Sequence, residues 1–222
     1  MICSLVIRGG AVTRTTHMAT IGEITLSAEG FDAVIFDCDG TLVNSMPYHF
    51  EAWCEALALY GAGNIFKEDV FYAMGGRPTK DIVVELNDEY GLKLDPESVA
   101  FAKREAFLTK LDRIEVIDEV AAFAQSLRGK LPMAIATGGS RLVIEKTLQA
   151  VNVSDVFDEV VTADDVTVGK PAPEIFLKAA ELLGVAPERC LVLEDAPAGV
   201  MAAQLAGMTV ISIPAPLDFA DK

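Results

Sequence analysis

The sequence predicts an α/β chain, a doubly wound parallel sheet with an all-helical segment inserted after its first strand. Three observations predict it. Short β-rich apolar runs recur along the chain, helical stripes separate them, and one long segment between the first run and the second shows helical period with almost no strand signal.

The runs come first. AVIF (33–36), MAIA (133–136), EVVTA (159–163), CLVL (190–193) and TVISI (209–213) are short β-rich apolar runs and read as strands covered on both faces. Between them, Ile117, Val120, Ala124 and Leu127 mark one helix face, and Ile144, Leu148 and Val151 a second. Phe176, Ala179, Ala180 and Leu183 mark a third, and Met201 and Leu205 a fourth, closed by Gly207. Alternation of this kind makes a Rossmann-like core.

Residues 46–115 form the insertion. Trp53, Ala56, Leu57 and Tyr60 make a stripe ending at Gly61; Ile82, Val83, Leu86 and Tyr90 make another ending at Gly91. ESVAFAKREAFLTKL (97–111) supplies a third helix. An insertion at this point sits over the C-terminal edge of the sheet, where open α/β sheets bind ligands. The expected organisation is therefore an α/β core of residues 29–45 and 116–222, with a helical cap of residues 46–115. The cap would hinge at residues 44–46 and 113–116. Residues 1–28 show no sustained period and are expected to be a weakly structured extension, with Met18 an alternative start.

Composition bounds the function. A chain of 222 residues that is 51% hydrophobic can bury a sizeable core. A net charge of −15 without a basic run argues against nucleic acid or anionic membrane as partner. No stretch is long and apolar enough to suggest a membrane span. The four cysteines, Cys3, Cys38, Cys54 and Cys190, are widely spaced, which suggests neither a zinc site nor a disulfide framework and fits a reducing cytoplasm. The oligomeric state is open.

The strand ends carry the chemistry. Asp37 and Asp39 follow the first strand, and Thr137, Gly138, Gly139 and Ser140 follow the second. Lys170 precedes a helix, and Glu194 and Asp195 follow CLVL. Four carboxylates gathered at one sheet edge repel one another unless cations join them. A hard oxygen-ligated ion, Mg²⁺ by preference, with Lys170 answers that repulsion. The TGGS turn at a helix start offers backbone N–H groups to a phosphate, with Ser140 as the helix cap. A calcium loop starting at Asp37 is excluded, because its twelfth position is Tyr48 where a glutamate is required. Cys38 lies between two acids and is no reactive thiolate. Asp164 and Asp165 read as a polar loop.

DCDGT after a strand, a threonine after the second strand, the lysine of GKPAPE and LEDAPAG together resemble the four motifs of the haloacid dehalogenase superfamily, specifically its phosphotransferases. MPYHFEAW, GKPAPEIF and LEDAPAGV narrow the likeness to β-phosphoglucomutases and related sugar-phosphate phosphatases with a small helical cap. The resemblance implies a nucleophilic Asp37, a general acid/base Asp39, a phosphoryl-binding Thr137 and a bridging Lys170. It implies Mg²⁺ held by Asp37, the Asp39 backbone carbonyl and Asp195, with Glu194 beside them. Gly138, Gly139, His49 and Arg77 are the candidate substrate contacts, although His49 is equally readable as a packed histidine and Arg77 as a surface one.

β-Phosphoglucomutases present a lysine and then an arginine in the cap loop. Here MGGRPTKD (74–81) places Met74 or Gly75 at the lysine's position, and Arg77 does not fall cleanly at the arginine's. Mg²⁺-dependent hydrolysis of a small phosphorylated sugar or similar metabolite is therefore the expected activity. The alternatives are a sugar phosphomutase and a catalytically idle relative that binds phosphometabolites; the second would be expected to lack the nucleophile or the lysine, and both are present. No motif names the substrate.

Overall fold

The computed structural model describes residues 18–21 and 24–214. Two strands, β1 (Met18–Ile21) and β2 (Ile24–Ser27), pair antiparallel, and five more build a parallel sheet. These are β3 (Ala33–Phe36), β4 (Met133–Ala136), β5 (Glu159–Val161), β6 (Cys190–Glu194) and β7 (Thr209–Ser212). Their order is β5-β4-β3-β6-β7. The chain leaves β3 to build one half of the sheet and returns beside β3 to build the other. The C-terminal ends of β3, β4 and β6 thus flank the point where strand order reverses, the crevice such sheets use for ligands.

Side chains of the central strands alternate between two apolar clusters. Val34, Phe36, Met133, Ile135, Leu191 and Leu193 pack with Phe123 and Leu127 of α5 (Asp118–Leu127) and with Ile144 and Leu148 of α6 (Arg141–Ala150). Ala33, Ile35, Ala134, Ala136, Cys190 and Val192 pack on the other face. There they meet Phe176 and Ala179 of α7 (Glu174–Leu183) and Ala202 and Ala203 of α8 (Pro197–Leu205). Burial of both faces is why these strands are uniformly apolar. Cutting Phe123 to alanine would cost about 3–5 kcal/mol.

Four helices lie between β3 and α5: α1 (Met46–Ala58), α2 (Glu68–Ala73), α3 (Thr79–Tyr90) and α4 (Pro96–Leu108). Met46, Trp53, Leu57, Phe66, Phe71, Leu86 and Val99 give them an apolar cluster of their own. The two crossings to the sheet layer run side by side. Val43 bridges Val116 antiparallel, the Asn44 amide donates to the Glu115 carbonyl at 2.9 Å, and that of Ile117 to Leu42 at 2.8 Å.

Two expectations are corrected. Residues 18–27 were expected to be weakly structured, yet β1 and β2 pair there and Leu26 is fully buried in the first cluster; residues 1–17 lie outside the described residues. Four-residue strands are too short to show a period. The helix after β6 is present, but Met201 and Leu205 are 52% and 63% exposed. Its buried face is Gly199, Ala202 and Ala203, because the Glu194 carboxylate lies against it: a Cβ at Gly199 would meet Glu194 Oε1 at 1.7 Å. Small residues let this helix close on the strand end, and the large ones are left outside.

Candidate active site

Asp37 is the first residue past β3, and its amide still bonds the Leu193 carbonyl across to β6 at 2.9 Å. The chain then turns sharply. Leu42 and Val43 amides return to the Cys38 carbonyl at 2.9 and 3.0 Å, and Gly40 adopts φ +91°, a conformation that side chains disfavour. Space adds a second requirement for glycine, since a Cβ there would lie 2.3 Å from Asp195 Oδ2. The turn after β3 and the end of β6 are therefore in direct contact, and Thr41 Oγ1 donates to Asp195 Oδ1 at 2.8 Å.

Lys170, from the loop before α7, reaches into the same place across the ring of Phe176, 4.9 Å from its centroid. Its ammonium donates to Asp37 Oδ1 at 2.6 Å, to Glu194 Oε1 at 2.8 Å and to the Ala136 carbonyl at 3.1 Å. An ammonium has three protons, and all three are engaged. Burial works against its charge, but Asp37 and Glu194 outweigh burial and hold Lys170 above its ordinary value. Asp37 is 3% exposed. Burial pushes its carboxyl well above the usual range; Lys170 opposes this, and Glu194 and Asp195 reinforce it. Burial and then Glu194 push Asp195 up to about 7.

One ammonium thus faces three buried carboxylates, two charges short of balance. A divalent cation closes that deficit, and the oxygen-only donor set suits a hard ion. Among the described residues no three His, Cys, Asp or Glu side chains form a ready-made metal cage. Glu194 explains part of this, because Lys170 takes its Oε1 and the Ala196 amide takes its Oε2 at 2.5 Å. Two carboxylates, Asp37 and Asp195, with a backbone carbonyl and water are a sufficient set for an ion that keeps much of its hydration.

Asp39 is held differently. Ser45 Oγ donates to its Oδ1 at 2.6 Å, and His49 Nε2 lies 3.0 Å from the same oxygen. On the far side of the imidazole, Lys103 Nζ stands 2.9 Å from Nδ1. Lys103 can only donate, so Nδ1 accepts and the ring proton belongs on Nε2, facing Asp39. The ring also stacks on Phe107, with centroids 3.8 Å apart and planes 9° apart. Burial would raise the Asp39 carboxyl, but His49, Ser45 and Lys103 outweigh it and hold Asp39 at about 2. Burial and Lys103 in turn hold His49 below its ordinary value. At neutral pH its grip on Asp39 is consequently the Nε2–H bond rather than a full charge.

The loop after α2 closes over this cluster. A Cβ on Gly76 would lie 3.8 Å from both Glu194 Oε1 and Lys170 Cδ, and one on Gly138 would meet the Gly76 carbonyl at 2.5 Å. Beside it opens a cleft of about 1360 Å³ between α1, α4 and the loops of the sheet layer, with His49, Lys103, Pro78, Gly138, Gly139 and Ser140 on its wall. Asp37 and Asp39 do not line it; Asp39 is joined to its wall through His49.

Asp37, Asp39, Glu194, Asp195, Lys170 and His49 are thus joined by direct contacts or shared fields, and Gly138 and Gly139 edge the adjoining cleft. Thr137 is buried beside Ala136, its Oγ1 accepting the Gly139 amide at 3.2 Å. Arg77 is not brought in: it pairs with Glu85 of α3 at 2.6 Å and does not line the cleft. Ser140 makes no cap to α6; the Arg141 amide is taken by Asp164 Oδ2 at 2.8 Å, so the expected polar loop does the capping. Ser45, Thr41 and Lys103 went unread. The spacing from Asp39 to Ser45 is local enough to suggest a bond, whereas Lys103 is 54 residues from His49 and only packing of α4 on α1 joins them.

The chain is similar to known proteins over most of its length. The family model for haloacid dehalogenase-like hydrolases matches residues 31–207. Fructose-1-phosphate phosphatase YqaB of Escherichia coli (strain K12) is 38% identical over 189 residues, 83% of this chain and 97% of the relative. Hexitol phosphatase A of the same organism is 34% identical over 195 residues, 83% of each chain. The crystal structure of CbbY from Rhodobacter sphaeroides in complex with phosphate matches with a TM-score of 0.75 at 25% identity, covering 86% of this chain and 90% of that one.

Proposed function

This chain belongs to the haloacid dehalogenase-like hydrolase family, and we propose that it is a Mg²⁺-dependent phosphatase that hydrolyses a small sugar phosphate through a phosphorylated Asp37. The observation that carries the reading is the buried Lys170–Asp37 contact of 2.6 Å at the C-terminal edge of β3. A carboxylate held beside an ammonium, short of positive charge and shielded from water, is suited to attack a phosphoryl group whose own charge needs neutralising. The names of the relatives, phosphatases of fructose 1-phosphate and of hexitol phosphates, support a small phosphorylated carbohydrate as substrate. Widely spaced cysteines support work in a reducing cytoplasm.

In the first step an Asp37 oxygen bonds phosphorus while the bond from phosphorus to the leaving oxygen breaks, and Asp39 gives that oxygen its proton. In the second, water attacks the phosphorylated Asp37, Asp39 takes the water's proton, and phosphate leaves with Asp37 restored. Asp39 rests ionised, the form required for the second step. For the first it must take up a proton, which the arriving phosphate dianion favours by raising its pKa. Lys170 keeps Asp37 oriented, and the Gly138 amide and the Thr137 hydroxyl, whose oxygen already accepts the Gly139 amide, are the donors available to phosphoryl oxygens. Mg²⁺, held by Asp37, Asp195 and the Asp39 carbonyl, supplies electrophilic charge at the phosphoryl group when bound.

The second phosphate site that a phosphomutase needs finds no support, since the cap-loop cation Arg77 is tied to Glu85. Phosphate release should be measured across fructose 1-phosphate, glucose 6-phosphate and hexitol phosphates, with and without a chelator. Activity that survives chelation overturns the metal reading. β-Glucose 1-phosphate with a trace of the 1,6-bisphosphate completes the test: efficient conversion to glucose 6-phosphate with little free phosphate would establish a mutase instead.

A further inference from the structure

Beside the catalytic cluster lies more room than a small sugar phosphate fills. The cleft of about 1360 Å³ exceeds the roughly 300–1,000 Å³ that encloses a drug-sized ligand. A lifted loop does not explain it. The loop after α2 is already seated on the sheet layer: a Cβ at Gly138 would meet the Gly76 carbonyl at 2.5 Å, and one at Gly169 would meet Pro78 Cγ at 2.5 Å.

The lining is of two kinds. Toward the acids it is polar: a Cβ at Gly139 would lie 3.6 Å from Asp39 Oδ2, and His49 and Lys103 share that wall. The same cleft is also lined by Leu59, Tyr60, Phe101 and Leu142, which are 74%, 42%, 57% and 44% exposed. Leu142 stands two residues past Ser140, so the apolar wall begins next to the polar one. Packing does not call for these side chains, since Trp53 and Leu57 of α1 and Val99 and Phe107 of α4 already fill the buried faces of those helices. Arg104 lies over the Phe101 ring, 5.0 Å from its centroid, and steadies it. Large apolar side chains left in water on one concave surface mark a place for an apolar group.

Charge narrows the occupant. The cations among the described lining residues are Lys80, Lys103 and Arg104. Lys80 is paired with Glu97 at 2.6 Å and Arg104 with Glu105 at 3.3 Å, while Lys103 is engaged with His49 beside Asp39. Asp81 and Asp164 add negative charge to the wall. A second phosphate or a carboxylate on the substrate would therefore find no waiting cation in the outer cleft, whereas an uncharged apolar group finds Phe101 and Leu142. We propose that the substrate is a monophosphorylated sugar carrying an uncharged apolar substituent, an alkyl or aryl glycoside phosphate, whose phosphoryl group reaches Asp37 and whose substituent lies along Phe101 and Leu142. The inference rests on the phosphatase reading above and adds to it the class of the substrate's body.

Phosphate release should be measured as kcat/KM for the methyl, hexyl and 5-carboxypentyl β-glucoside 6-phosphates, with nitrophenyl phosphate as reference. The hexyl glycoside should exceed the methyl by about tenfold or more, since each buried methylene is worth about fourfold. The carboxypentyl glycoside, of similar length, should keep none of that gain. Phe101→Ser, at an exposed position that does not endanger the fold, should cut the hexyl-to-methyl ratio by about fivefold. A loss shared equally by both glycosides, a carboxypentyl glycoside as good as the hexyl, or equal values for methyl and hexyl overturns the inference. So does an enzyme that hydrolyses nitrophenyl phosphate but no glycoside phosphate, and each of these outcomes leaves the phosphatase reading standing. An enzyme inactive on every phosphate ester overturns both.

Discussion

Lys170 and Asp37, 133 residues apart in the chain, meet at 2.6 Å between side chains that are 0% and 4% exposed. Asp37 and Glu194 hold the ammonium charged, and Lys170 in turn opposes the upward push of burial, Glu194 and Asp195 on the Asp37 carboxyl.

Substitutions at the two positions should therefore part company. Asp37→Asn should abolish turnover, at least a thousandfold, because an amide cannot become phosphorylated; it also removes one of three crowded carboxylates, so the metal-free fold should keep or gain thermal stability. Lys170→Ala should lose turnover as well, but at about 3–5 kcal/mol of stability, since it strands buried carboxylates without their ammonium. Urea unfolding of both variants beside a phosphate-release assay distinguishes these outcomes, and an unstable Asp37→Asn would refute the charge argument.

Lys103 offers a test with a definite sign. Burial lowers it to about 8 from an ordinary 10.5, with Asp39 opposing. Between those values the unfolded chain binds a proton that the folded chain does not, so this group makes stability rise with pH from about 8 to 10.5. Lys103→Met should flatten that rise in urea titrations at pH 8 and pH 10. The same variant loosens the imidazole that grips Asp39, so turnover should fall more for a sugar phosphate than for nitrophenyl phosphate, whose leaving oxygen needs no proton. Equal losses on both substrates would remove Lys103 from the Asp39 relay.

The three central strands were legible because burial on both faces leaves a run of apolar residues, whereas the edge strands β5 and β7, expected to be covered on both faces as well, are only partly buried. AVIF and MAIA coincide with β3 and β4 residue for residue. The strand-end acids and Lys170 could be read because each follows or precedes such a run. What sequence could not supply was direction. Arg77, in the loop after α2, and Lys103, on α4, are both cations of the inserted segment, and only packing turns one toward Glu85 and the other toward His49. The burial of α8 was misread for a related reason: hydrophobicity marks which residues could be buried, whereas a close approach by Glu194 selected the small ones.

Asp195 makes the metal-free protein pH-sensitive in the opposite sense to Lys103. Its carboxyl sits at about 7 against an ordinary 3.8, through burial and then Glu194. The folded chain holds a proton across that window that the unfolded chain releases, so this group's contribution to stability declines as pH rises from about 4 to 7. Asp195→Asn should remove that decline and leave the metal-free protein more stable than the parent at pH 7.5. Protons and Mg²⁺ compete for the same oxygens, so Mg²⁺ affinity of the parent should weaken as pH falls below about 7. Calorimetric titration of Mg²⁺ at pH 6 and pH 8 measures it; equal affinities would place the metal away from Asp195.

The seating of the loop after α2 depends on Gly169. A Cβ there would lie 2.5 Å from Pro78 Cγ and 2.9 Å from Cδ, overlaps that a proline ring cannot relieve by turning, but 4.0 Å from Pro78 Cβ, an ordinary contact. Gly169→Ala should therefore lift the loop from the sheet layer, and displacement of about 1 Å at the mouth of such a site costs up to about a hundredfold in kcat/KM. The loss should be larger for a sugar phosphate, whose body the loop encloses, than for nitrophenyl phosphate. Gly169 also precedes Lys170, so a local disturbance of the lysine would produce a similar loss. The double variant separates the two causes. Pro78→Ala deletes Cγ and Cδ and keeps Cβ, which opens room for the new methyl while leaving Lys170 untouched. Rescue of kcat/KM toward that of Pro78→Ala alone is the expected result, and a double variant as impaired as Gly169→Ala would assign the effect to Lys170 instead.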